Sequence, residues 1–171
     1  MSAGMSTPPM TFDPQELRRI FSRYPSGVVA LAGLVNDAPV GLAASSFTSV
    51  SLDPPLVSVC IAQESTTWPV LRGAPSIGIS VLAASHHREG RQLAARNADR
   101  FARVAWHRGE HDAVLLHGAA ATMCCSILRE VPAGDHLVVL LQVQAINEAP
   151  HVEPLVFHAS RFRGLHDTDA A

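Results

Sequence analysis

The chain has 171 residues, 47% of them hydrophobic and only 16% charged, with a formal net charge of -2. That balance gives no electrostatic case for nucleic acid or an anionic membrane surface as a partner, and no apolar run reaches the ~18 residues of a membrane span. The apolar excess points instead to one compact domain that covers part of its surface in an oligomer.

Met1 to Thr11 has neither a charged n-region nor an apolar h-region, so residues 1–12 read as a disordered lead-in and not a signal peptide. Asp13-Pro14-Gln15-Glu16 opens a helix, with Asp13 as N-cap, Pro14 at the first position and Glu16 completing a capping box. Leu17, Ile20, Phe21 and Tyr24 follow at helical spacing until Pro25 stops the run. Val28 to Val35 reads as a strand that turns at Asn36-Asp37 into a second strand through Gly41.

That second strand is the most informative part of the chain. Gly41, Ala43, Ala44, Ser45 and Ser46 stand where a strand normally prefers β-branched side chains. Small residues there let a flat ligand lie against the backbone. The chain then turns at Asp53-Pro54-Pro55 and returns as a strand from Leu56 to Ala62. It reaches Gln63-Glu64-Ser65-Thr66-Thr67, a hydroxyl cluster suited to a phosphate. Thr66 or Thr67 caps a short helix from Trp68 to Arg72, which Gly73 ends.

Ser76 to Leu82 reads as a buried strand, and Ser85 to about Ala95 as a helix with Leu93 and Ala94 inward and Arg88, Arg91 and Arg96 outward. Asp99-Arg100-Phe101 closes that region, and Val104 to His117 reads as a polar loop. Three late strands follow, Ala119–Leu128, His136–Ile146 and Leu155–Ala159, separated by turns at Pro132-Ala133-Gly134 and Asn147 to Pro154. Many strands, a few short helices and no alternating βαβ units predict a mainly β, closed antiparallel barrel. One domain spans residues 13–166, and residues 167–171 are a tail. Cys60, Cys124 and Cys125 form no disulfide or metal framework and read as small core residues in a reducing cytoplasm, the last two on opposite faces of one strand.

No Gly-x-Gly-x-x-Gly follows any strand, so a nicotinamide would bind without a Rossmann domain. The run Ser46-Phe-Thr-Ser-Val-Ser-Leu-Asp-Pro-Pro-Leu-Val57, with the small residues before it, resembles the signature of the flavin reductase-like family. The chain is similar to the short-chain NAD(P)H:flavin oxidoreductases of two-component monooxygenases from Leu17 to Leu165. The resemblance implies an FMN-binding split β-barrel of Greek-key type, a homodimer with flavin in a groove at the subunit interface. It implies FMN or FAD as the flavin and NADH or NADPH as the hydride donor. Reduced flavin would then pass to a flavin-dependent monooxygenase component.

The resemblance also assigns residues. Ala43, Ala44, Ser45 and Ser46 match the strand along the flavin ring. Ser49, Cys60 and Gln63 match positions near the ring or ribityl chain. Ser65, Thr66 and Thr67 match the phosphate cluster, and Arg100-Phe101 the Asp-Arg-Phe motif that adds charge near a phosphate. Gly134-Asp135-His136 matches a Gly-Asp-His motif whose histidine positions the hydride donor. Ser26-Gly27 matches the Thr-Gly of an N-terminal strand, and Phe162 a late aromatic over the flavin edge. Relatives often carry threonine at position 43, asparagine at 45 and 80, and tyrosine at 162, so ring hydrogen bonds must come more from backbone here.

Two other readings compete. A non-catalytic flavin-binding module on the same fold would store or sense FMN. His107-Arg-Gly-Glu-His111 fits the spacing of an inverted zinc protease motif, but that chemistry needs both histidines on one helical face and Gly109 interrupts it, so no metal is expected.

Overall fold

The computed structural model describes residues 12–96 and 99–166; the predicted lead-in up to residue 11 and the tail from 167 lie outside them. A seven-stranded antiparallel sheet dominates. Its strands are β2 (Val29–Val35), β3 (Ala38–Ala44), β4 (Thr48–Leu52), β5 (Pro55–Ala62), β6 (Ile77–Val81), β9 (Ala121–Ala133) and β10 (His136–Glu148), in the order β3-β2-β6-β9-β10-β5-β4. Strands β1 (Ser26–Gly27), β11 (Val156–His158) and β12 (Arg161–Arg163) form a small second sheet, and β7 (Trp106–Arg108) pairs with β8 (Val114–Leu116). The fold is mainly β, as the sequence indicates. The predicted closed barrel is not formed: β3 and β4 are the two edges of an open sheet, and among the described residues no ladder joins them.

Burial explains the strand sequences. Val29 and Leu31 of β2 enter the main core with Val57, Val59, Ile61, Ile77, Ile79, Val139 and Leu141. Val28 and Ala30 enter a second core with Leu82, Leu93, Val104, Leu116 and Leu155. A strand buried on both faces reads as a continuous apolar run, which is the pattern of Val28–Val35. Cys124 and Cys125 also divide between two clusters, as adjacent strand residues must.

Among the described residues three α-helices complete the domain: α1 (Pro14–Phe21), α2 (Trp68–Leu71) and α3 (His87–Ala94). Several local expectations are corrected. Asp13 caps α1 by accepting from the Gln15 N–H at 2.9 Å. Glu16 pairs with Arg19 at 3.5 Å, and no reciprocal capping box is made. At α2 Thr67 holds the N-cap position without a side-chain bond, and Ser65 Oγ accepts from the Trp68 N–H at 3.1 Å. Residues 104–117 are not a polar loop, because Val114, Leu115 and Leu116 are buried in β8.

The β9–β10 hairpin runs further than the turn signals implied. Beyond Cys125, β9 has lost β6 as a neighbour, so Pro132 sits on an unpaired edge where its missing N–H costs nothing. The turn itself is Gly134-Asp135, with Gly134 at φ +64°. Ala94 is exposed, not inward, whereas Gly90 is buried. Cys60 is likewise exposed, contrary to its predicted core place.

Candidate functional site

A cavity of about 530 Å³ opens where the end of β3, the end of β5, the segment leading into α2, the end of α3 and the start of β10 meet. That volume lies within the usual range of small-molecule sites. Leu42, Ala43, Ala44, Ser45 and Ser46 line one wall, Cys60, Ile61 and Ala62 another, and Glu64, Ser65, Thr66, Leu93, Ala94, Arg96, Arg100 and His136 complete it. A cleft of about 130 Å³ shares Ala43, Ala44, Ser45 and Ala94 with it. The cleft continues through Gly90, Phe157 and Phe162 into a depression of about 620 Å³ that also holds Arg91 and Arg161.

Local sequence explains the walls. β3 approaches β2 so closely at Gly41 that an added Cβ would collide with the Leu31 carbonyl oxygen and lie 2.8 Å from Ala32 Cβ. Among the described residues β3 pairs only with β2, so alternate N–H and C=O groups on its outer edge stay outside that ladder. Small side chains at Ala43 and Ala44 leave that edge accessible. Ser46 Oγ accepts from the Cys60 N–H at 2.9 Å and donates to the Cys60 carbonyl at 3.1 Å. It closes the Cys60 backbone beyond the point where β4 pairs with β5, at Thr48–Ser58. The Ser46 proton is therefore committed inside the protein.

His136 begins β10 directly opposite Ala62. Its Nδ1 lies 2.7 Å from Asp135 Oδ1, which leaves Nε2 for other contacts. The hydrogen bond and charge of His136 hold the Asp135 carboxyl below the ordinary carboxylate range. Gln63 fixes the same turn twice: its side chain donates to the Gly134 carbonyl and its N–H to the Asp135 carbonyl, both at 2.9 Å.

The cations differ. Arg100 Nε donates to the Ala95 carbonyl at 2.8 Å and Nη1 to the Gly41 carbonyl at 3.2 Å, so it clasps the end of α3 to β3. Burial lowers its pKa, yet a guanidinium stays charged at any working pH. Arg96 is exposed and pairs with Glu64 at 2.6 Å.

Of the residues singled out in the sequence, the fold brings Ala43, Ala44, Ser45, Ser46, Cys60, Ser65, Thr66, Arg100 and His136 to one cavity. Phe162 lines the adjoining cleft, with the Arg91 guanidinium 5.6 Å from its ring centroid. Gln63 holds the His136 turn from outside the lining. Thr67 is given over to the helix start, Ser49 lies in edge strand β4, and Phe101 packs between two core clusters. Ser26 and Gly27 pair with Phe157 and Val156 in the small sheet. Glu64 and Arg96 also line the cavity, with Leu42, Ile61, Ala62, Leu93 and Ala94; a charged pair 32 residues apart leaves no signal in sequence spacing. His107 lies in β7 and His111 in a 3-10 turn with φ 51°, so they share no helical face. Among the described residues no group of three or more His, Cys, Asp or Glu is placed to hold a metal.

Residues 21–166 match the family model described as flavin reductase like domain. An NADH-dependent FAD reductase of Streptomyces globisporus is 35% identical over 95% of this chain and 93% of its own length. The reductase subunit HsaB of a flavin-dependent monooxygenase from Mycobacterium tuberculosis is 28% identical over 90% of this chain and 83% of its own. Among solved structures, the NADH:FAD oxidoreductase SgcE6 of Streptomyces globisporus, in complex with NAD and FAD fragments, superposes with a TM-score of 0.85. It is 35% identical over 95% of this chain and 100% of that one.

Proposed function

The chain belongs to the flavin reductase-like family, and we propose that it is an NAD(P)H:flavin oxidoreductase that supplies reduced flavin to a partner monooxygenase. The observation that carries this reading is the cavity where a small-residue edge strand, the hydroxyls of Ser65 and Thr66 and the His136 imidazole converge. The donor set fits a flavin. Ala43 to Ser46 offer a flat, accessible backbone edge for the ring. Ser65 accepts from the Trp68 N–H but keeps its own proton to donate, and Thr66, next in the chain, lines the same cavity. A bound flavin would accept at its ring N5 the hydride that NADH or NADPH gives up.

The protein's part is orientation and electrostatics. Free N–H groups of β3 serve as fixed dipoles for the electron-rich edge of the ring, which compensates for alanine and serine at positions 43 and 45. Asp135 and Gln63 hold the His136 ring over the cavity, where it positions the nicotinamide. Ser65 and Thr66 hold the phosphate, with Arg100 fixing the strand they face. Phe162 covers the outer edge of the ring from the adjoining cleft.

The molecule acts as a homodimer whose interface completes a split barrel and one side of the flavin groove. The uncovered apolar surface supports this. α1 has no buried residue; Ile20, Phe21 and Tyr24 are 51%, 68% and 79% exposed, and Leu52 of edge strand β4 is 95% exposed. Among the described residues no helix is long and apolar enough to cross a membrane.

The test is NADH and NADPH oxidation by colourless purified protein with added FMN, FAD or riboflavin. Turnover that requires added flavin is expected. Protein that stays yellow through dialysis and oxidises neither nucleotide would be a flavin store, and the reading would fall.

A further inference from the structure

The two arginines of the cavity are held differently. Arg100 is fixed by two backbone carbonyls. Arg96 is held at 2.6 Å by the Glu64 carboxylate, in a pair whose side chains are 80% and 71% exposed. Glu64 immediately precedes Ser65 and Thr66, and all four residues line the same cavity. An exposed ion pair of this kind exchanges partners at little cost, since water screens both its making and its breaking. A flavin phosphate is the better partner for a guanidinium, because the FMN monoester and the FAD diphosphate both carry more negative charge and more acceptor oxygens than one carboxylate.

We propose that Glu64 and the phosphate of a phosphorylated flavin compete for Arg96, so that this pair sets the preference for FMN or FAD over riboflavin. This rests on the placing of the flavin phosphate at Ser65 and Thr66. With flavin bound, Arg96 leaves Glu64 for the phosphate; when flavin departs, Glu64 recaptures the guanidinium. The carboxylate therefore lowers the affinity for phosphorylated flavins and favours their release, a useful property where flavin must leave to reach a second protein. Riboflavin has no phosphate and is blind to the exchange.

The experiment measures affinities for FMN, FAD and riboflavin by flavin titration of wild type, Glu64→Gln, Arg96→Gln and the double variant. Glu64→Gln should raise the FMN-to-riboflavin affinity ratio about threefold to fivefold. Arg96→Gln should lower that ratio about tenfold. The double variant decides the mechanism: on the Arg96→Gln background the gain from Glu64→Gln should vanish. A gain that persists there makes Glu64 a mere source of repulsion and overturns the competition. Ratios unmoved by either single variant, in a protein that still reduces flavin, overturn it while leaving the reductase reading intact. A wild type that neither binds nor reduces any of the three flavins removes both.

Discussion

His136 has one nitrogen engaged by Asp135 at 2.7 Å and lines the cavity, which leaves its other nitrogen for the nicotinamide contact proposed above. His136→Ala should lower kcat/KM for NAD(P)H about 10²-fold, with flavin affinity little changed, as steady-state kinetics beside flavin titration would register. The Asp135 carboxyl is held below the ordinary carboxylate range, so it is ionised throughout neutral pH. Its hold on the ring is present above the unfolded carboxyl's value and is lost only as pH falls through its own lowered one. Thr66→Ala should weaken FMN binding and leave riboflavin binding unchanged; equal losses for both would detach Thr66 from the phosphate. The cysteines offer an independent check. Burial pushes the Cys125 thiol up to about 12 and raises that of Cys124, whereas Cys60 is exposed and lines the cavity. A thiol reagent at neutral pH should modify one cysteine quickly, Cys60, and added flavin should slow that modification.

The elements that carry the site are held by specific close contacts. β3 stays against β2 because position 41 has no side chain. Gly41→Ala would push the two strands apart and should destabilise the fold by about 1–3 kcal/mol, read from the denaturant midpoint, while also lowering flavin affinity. Arg100 ties the end of α3 to that same strand through the Ala95 and Gly41 carbonyls. Arg100→Ala should therefore weaken riboflavin binding as well as FMN binding. A loss confined to the phosphorylated flavins would make Arg100 a phosphate ligand instead. The motif around Arg100 was visible in the sequence, but its use as a clasp was not, because its acceptors are backbone carbonyls that no side-chain pattern announces. The hairpin from β9 to β10 illustrates the same limit. Pro132 looks like a turn residue, and only the loss of β6 as a neighbour makes it tolerable within a strand.

At the scale of the molecule, one chain forms an open sheet with apolar residues left uncovered on α1 and β4. A second copy covering them would account for a composition with only 16% charged residues. Sedimentation should give a dimer, and dilution through its dissociation range should lower flavin affinity in step. A monomer with undiminished flavin affinity would separate the site from the interface.

Most of this protein's local structure was determined by its sequence. The apolar run Val28–Val35, the small residues from Gly41 to Ser46 and the turn at Gly134 follow from side-chain size, periodicity and backbone freedom, which are properties of neighbours in the chain. The run Ser46–Val57 also carried the family resemblance, and with it the expected activity. Tertiary structure decided what depends on residues distant in the chain. It set Glu64 against Arg96, gave the Ser46 hydroxyl to the Cys60 backbone, packed Phe101 against two core clusters and left the sheet open where a closed barrel was expected. Strand pairing and side-chain partnership are choices among many compatible surfaces, and the choice is made only when the whole sheet curls and its cores fill.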